Sequence, residues 1–238
     1  MNLGKVNMPT EVYIGLVDET VPMHWDNHAC LMVLIWFVLV PIGVLAIRFG
    51  KPKPTERGIE TKISILNPLW WWFSIHKYGL YFAMGLALIA GGLAFIVSQG
   101  FSGSLHAYFG VATIMMGVMQ VVSSWFRGRH GGMYYYTATS GDPESYKGDH
   151  YNMTKRRRLF EAYHKTAGYV TGFFAFGAVG SGFMQFPLPG LAVVVFGLIV
   201  VTVAAWMFLH YKGRQHDGYR AVFGYGLEHP YNKSREKL

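Results

Sequence analysis

Four histidines stand in early turns of four long apolar runs: His28, His76, His106 and His164. Imidazole is a metal ligand, and a low-spin haem iron takes two of them, one from each side of the ring. Ionisable residues inside membrane segments are functional candidates by default. A lone histidine at a helix start is most often a satisfied interfacial group. The chemistry therefore depends on whether the four are brought together in pairs.

The apolar runs must do the positioning. From His28 to Arg48 the chain reads HACLMVLIWFVLVPIGVLAIR, with no charged residue between Asn27 and Arg48. About 20 residues rising 1.5 Å each cross a hydrocarbon core of ~30 Å. Four more such runs predict an all-α integral membrane protein, a five-transmembrane-helix bundle with a four-helix haem-binding core. The expected helices are about 28–48, 69–97, 104–126, 157–184 and 188–211. Residues 1–27 are an extracytoplasmic N-terminal segment, 28–211 the transmembrane domain and 212–238 a cytoplasmic tail. Pro41 inside the first helix predicts a kink. Composition agrees: 52% of residues are hydrophobic and 14% charged, and the longest polar stretch, 127–158, is too short to bury a soluble core. No cleavable signal peptide is visible, so the first span directs insertion. The single cysteine, Cys30, excludes an internal disulfide and a Cys-based zinc or iron–sulfur site; it reads as a buried small hydrophobe.

Charge placement sets the orientation. Of 21 Lys and Arg, Lys5 alone precedes the first span, and the other 20 fall on 48–77, 127–165 and 212–238. The connections 99–104 and 185–190 carry no charge. This positive-inside pattern places the N-terminus outside and the C-terminus in the cytoplasm, with a bacterial inner membrane the expected location. The net charge of +8 is then a topology signal with some attraction to anionic lipid, and nucleic acid is not an expected partner.

With that topology His28 and His106 lie near the outer face and His76 and His164 near the cytoplasmic face. Each pair sits on helices of the same direction, which suits two haem b groups held by axial His28 with His106 and His76 with His164. The apolar cores hold no Asp or Glu, which disfavours di-iron or zinc sites and proton relays. Gly110 and Gly168 each follow a histidine by four residues, on the same helix face, and leave room for a flat ring. Ordinary helix packing explains either glycine alone nearly as well. Arg48, Lys77, Arg158 and Lys165 could hold haem propionates or an anionic donor, or simply snorkel to lipid headgroups. Gln120 is expected to hydrogen-bond within the bundle. His24, His130, His150, His216 and His229 read as surface residues, and His210 as a ligand only if the fifth helix joined the core.

The pattern resembles the cytochrome b561 family, especially the membrane domain that elsewhere is fused to an extracellular DOMON domain. The first helix reads His28-x3-Met32-x3-Trp36-x4-Pro41-x-Gly43-x2-Ala46-x-Arg48. The second has Trp72-Phe73-x2-His76, the third His106-x3-Gly110 with Gln120 further on, and the fourth Arg158, Phe160, His164, Gly168 and Tyr169. The likeness covers roughly 24–186. It implies that the first and third histidines share one haem and the second and fourth another, and that electrons cross the membrane, often from ascorbate to ferric iron or monodehydroascorbate. Two departures are the long 127–158 segment and the lack of a DOMON domain, so any extracytoplasmic redox partner is expected to be a separate chain.

The expected function is di-haem b transmembrane electron transfer, an oxidoreductase-class role. The alternative is a haem b membrane-anchor subunit of a larger respiratory oxidoreductase that exchanges electrons with quinone. A non-redox structural role leaves the two-by-two sorting unexplained. Expected partners are membrane lipid, a redox protein (an extracytoplasmic cytochrome or oxidoreductase subunits), and quinone or ascorbate.

Overall fold

The computed structural model describes residues 8–15, 17–56, 58–59, 64, 66–127 and 155–224. The segment 128–154, with His130 and His150, and the segment 225–238, with His229, lie outside the described residues, as does Lys5. A short antiparallel hairpin, β1 (Glu11–Ile14) and β2 (Glu19–Pro22), precedes the helices, with Glu11 opposite Pro22 and Ile14 opposite Glu19. Then come α1 (Trp25–Phe49), α2 (Pro68–Val97), α3 (Leu105–Trp125), α4 (Lys155–Gln185), α5 (Pro189–Tyr211) and the short α6 (Gly218–Phe223).

Helices α1 to α5 are long and apolar enough to cross a bilayer, and the chain is an all-α integral membrane protein. Their outward faces carry large apolar side chains such as Phe82, Leu93, Phe173, Val193 and Phe208, all exposed. In water such a surface would be untenable, whereas lipid solvates it. Buried hydroxyls bond back to their own helix. Thr113 donates to the Phe109 carbonyl at 2.7 Å, Thr171 to that of Ala167 at 2.7 Å and Ser181 to that of Gly177 at 2.6 Å. Lipid offers these groups no other partner.

Two wide turns interrupt the helices. Ile35–Leu39 in α1 is π-helical, and the Val40 amide reaches the Ile35 carbonyl. It ends two residues before Pro41, which has no N–H to continue the ladder. The distortion expected at that proline thus takes the form of a widened turn. The second, Ile75–Gly79 in α2, contains His76 and has no proline. Sequence periodicity gives no sign of it.

Helix boundaries follow local chemistry. Asn67 caps α2, its side chain accepting from the Leu69 amide at 3.0 Å, with Pro68 in the first turn. The uncharged connection to α3 turns on Gly100 and Gly103, both at positive φ, and Ser104 receives the Ala107 amide at 3.1 Å.

The chain forms two compact units: residues Met1–Pro41, Gly79–Met119 and Ala167–Thr202 in one, and Ile42–Tyr78, Gln120–Thr166 and Val203–Leu238 in the other. In the first, Val33, Phe37 and Val195 form a buried cluster. An added Cβ on Gly91 or Gly117 would overlap Ile114 or Met84, so these glycines set the approach of α2 to α3. In the second, Ile59, Trp70 and Trp72 form the core, with Val222 of α6 packed on it.

The α6 segment is fastened to the stretch after α1. The Ile59 amide donates to the Val222 carbonyl at 2.8 Å, and Lys51 Nζ donates to the His216 carbonyl at 3.0 Å. Gly58 has φ +70°, and any Cβ there would collide with the Val222 carbonyl and the Gly224 amide. Gly58→Ala should therefore release α6, at a local cost of about 1–3 kcal/mol. Hydrogen exchange checks this: amides 221–224 should lose protection in the variant while α3 keeps its own. Unchanged protection of α6 would refute the clasp.

Candidate functional site

The first unit brings His28 of α1 against His106 of α3, with ring centroids 6.2 Å apart and planes at 85°. The second brings His76 of α2 against His164 of α4, at 6.1 Å and 84°. All four residues are half-buried. These are the two pairs that the helix directions predict.

The backbone orients the rings. His106 Nδ1 lies 2.8 Å from the Ala178 carbonyl and His76 Nδ1 lies 3.2 Å from the Gly43 carbonyl. A carbonyl only accepts, so in each case Nδ1 carries the proton and Nε2 keeps its lone pair. Phe160 stacks on His164 at 5.0 Å and 24°, and Gln120 Nε2 donates to the His164 carbonyl at 3.0 Å. The expected bundle hydrogen bond of Gln120 is thus to the backbone of a histidine.

The spacing has chemical meaning. An imidazole nitrogen sits about 2 Å from a ligated transition metal, and the ring centroid about 1.1 Å behind it. Two imidazoles on opposite sides of one metal then have centroids about 6.2 Å apart. Among the described residues no group of three or more His, Cys, Asp and Glu is placed to hold a metal ion. The histidines converge two and two.

The His28–His106 pair borders a cavity of about 210 Å³ whose walls include Trp25, Trp36, Gly110, Phe183 and Phe186. Gly110 faces open space: an added Cβ would meet nothing within 4 Å. Gly182 faces the His106 ring instead, and its Cβ would stand 3.1 Å from His106 Nδ1. Sequence reading missed Gly182, whose signal is only a small residue four positions after Ala178. Gly168 is exposed on α4.

In the second unit, Arg48 lies half-buried with its guanidinium 5.0 Å from the Trp206 ring, and among the described residues its buried Nε has no hydrogen-bond partner. Ser74 Oγ, two residues before His76, and Gln120 Oε1 are likewise buried and without a partner among the described residues. Unmatched buried polar atoms need an explanation, and an absent polar or anionic group is one. Lys77 lies over the Tyr78 ring at 4.9 Å, and Lys165, largely exposed, pairs with Glu161 at 3.5 Å. Arg158 falls within α4, but its side chain is outside the described residues. Beyond α1, burial pushes the Lys51 ammonium below its usual range; Asp217 opposes this, while Arg48 and Lys165 add to it. Burial also lowers His216, helped by Arg214, Lys51 and Lys53. His24 is exposed, and His210 bonds Gln215 at 3.2 Å, away from both pairs. Cys30 is exposed, contrary to the expectation of burial, because its position on α1 turns away from the packed faces.

Comparison with known proteins adds the following. Over 103 residues the chain is 33% identical to the cytochrome b561, DM13 and DOMON domain-containing protein of Arabidopsis thaliana, covering 42% of this chain and 10% of that protein. Over 102 residues it is 31% identical to ferric-chelate reductase 1 of Homo sapiens, covering 42% of this chain and 16% of that one. The likeness supports a cytochrome b561-like domain. The chain spans less than a fifth of the length of these curated relatives. No protein-family model and no solved structure matches it.

The glycines near His106 divide into one that packs and one that borders space. A Cβ on Gly177 would stand 2.9 Å from the Phe109 ring. Gly177→Ala should cost about 1–3 kcal/mol by overpacking. In the haem-free protein Gly110→Ala should cost nothing in stability, since helical alanine exceeds glycine by about 0.5–1 kcal/mol. Thermal unfolding midpoints in detergent check this; equal losses in both variants would contradict an open space at Gly110.

Proposed function

We propose that this chain is a di-haem b transmembrane electron-transfer protein. The observation that carries the reading is the pair of imidazole pairs, each with the centroid spacing of two ligands on one metal and each with one ring held by a backbone carbonyl. His28 with His106 would hold one haem, and His76 with His164 the other. The open space at Gly110 fits a flat macrocycle beside His106, and the unpartnered buried Arg48 Nε and Ser74 Oγ fit its polar edge beside His76. Gly168 would spare the same room beside His164, and Lys77 and Arg158 would add cationic partners for the carboxylates.

Bound haem supplies reversible one-electron iron chemistry. The chain's own contribution is to fix ligand orientation, to keep Nε2 of His76 and of His106 deprotonated through their Nδ1 contacts, and to surround the pairs with apolar walls that restrict water. The relatives' names, a cytochrome b561-containing protein and a ferric-chelate reductase, make transmembrane reduction of an external acceptor such as a ferric chelate one natural use. Ascorbate or quinol would serve as donor. The proposed orientation puts the N-terminus and the His28–His106 pair outside, with His76 and His164 toward the cytoplasm.

The cavity beside His28 favours a second reading. Its wall of Trp25, Trp36, Phe101, Phe183 and Phe186 would also accept an apolar quinone ring, as in a membrane-anchor subunit of a larger oxidoreductase. Copurification with dehydrogenase subunits and inhibition by quinone analogues would mark that case.

The test is haem stoichiometry by pyridine haemochrome on the purified protein. Two haems b per chain are expected. His28→Ala or His106→Ala should remove one and leave the other, and His76→Ala or His164→Ala should do the converse. Single replacements that leave haem content unchanged, or a colourless protein, would overturn the reading.

A further inference from the structure

The unit that holds His28 and His106 is acidic in a basic protein. Its charged residues are Lys5, Glu11, Asp18, Glu19 and Asp26, four acids against one lysine. That is a net of −3, whereas the whole chain carries +8. All four acids are exposed, and three of them lie on the β1–β2 hairpin or its turn.

The hairpin also presents apolar surface outside the helices. Tyr13 is 62% exposed and Val17 56%, and Ile14 is exposed beside them. Among the described residues β1 pairs only with β2, so each strand keeps a free edge. A two-stranded hairpin alone is marginal in water. This one is lengthened by a rung, the Met23 amide donating to the Thr10 carbonyl at 2.7 Å, and is anchored to α1 by the Trp25 indole N–H, which donates to the Pro9 carbonyl at 3.0 Å. The Trp25 ring in turn meets His28 edge to face at 6.3 Å and lines the cavity. The hairpin is therefore joined to the histidine pair through one aromatic side chain.

Charge selects the occupant. Anionic lipid headgroups would be repelled, and so would the same acidic face of a second copy. A basic surface would be attracted and steered. We propose that the hairpin is the docking surface for a soluble, one-electron carrier protein whose exposed redox centre is ringed by lysines. Glu11, Asp18 and Glu19 meet the lysines, and Tyr13 and Val17 supply apolar contact. One electron is exchanged: what the carrier gains the chain loses, or the reverse, and no bond forms or breaks. This rests on the redox reading above.

The full chain in nanodiscs of neutral phosphatidylcholine supplies the test, with empty discs as background. The probe is a lysine-rich c-type cytochrome, used intact and with its lysines acetylated. Intact probe should bind at low ionic strength and weaken about tenfold or more as salt is raised. The Glu11→Gln/Asp18→Asn/Glu19→Gln variant should bind about tenfold more weakly. Asn keeps the left-handed backbone at position 18, where φ is 55°, so the turn survives. Acetylated probe should not bind the unmodified chain, which tests the same claim without any substitution. Binding no stronger than to empty discs, or equal binding by the variant, overturns the proposal. The visible spectrum of the same discs separates the two ideas. Coloured discs that fail to bind remove the docking surface alone, and colourless discs remove the redox reading and the carrier's role with it.

Discussion

A ring N–H inside a membrane must find an acceptor, and the abundant one is a backbone carbonyl that a neighbouring helix leaves within reach. Here those carbonyls belong to residues with little or no side chain. His76 rests on Gly43 and His106 on Ala178. A bulky residue at either position would hold the imidazole off the backbone. The small residue thus fixes the close approach, and the approach fixes the tautomer that leaves Nε2 its lone pair. The rest of the bundle depends on this chain of constraints.

The same logic ties the helix irregularities to the site. His76 lies inside a π-helical turn, which rotates the following residues relative to a regular helix. Such turns cost regular hydrogen bonds and survive where they place a side chain usefully. In α1 the corresponding turn is tied to Pro41, only two residues from the Gly43 carbonyl that receives His76. Gly182, whose missing Cβ leaves room for the His106 ring, plays the matching part on α4.

Much of this was legible in the sequence. Five apolar runs gave the spans, because lipid leaves so few alternatives to the long apolar helix. Basic residues confined to alternate connections gave helix directions, and directions gave the pairing of His28 with His106 and His76 with His164. Other features were not legible. The π-turn at 75–79 has no proline to announce it, and Gly182 looks like any other small residue in a glycine-rich helix. The β-hairpin hid because strands of four residues carry little periodicity, although Gly15 and Asp18, at φ 55°, mark its turn. Cys30 misled because its residue type favours burial in general, while its place on the first turns of α1 faces outward.

Both imidazole pairs have nearly perpendicular planes, at 85° and 84°. With iron held by each pair as proposed, that angle would leave the two d orbitals along the ligand planes almost equal in energy, a condition that low-temperature electron paramagnetic resonance reads directly. The oxidised protein should show highly anisotropic low-spin ferric signals from both centres and no high-spin iron. A rhombic spectrum of the kind that parallel imidazoles give, or a high-spin signal from an iron missing one histidine, would contradict ligation by these pairs as they stand in the fold.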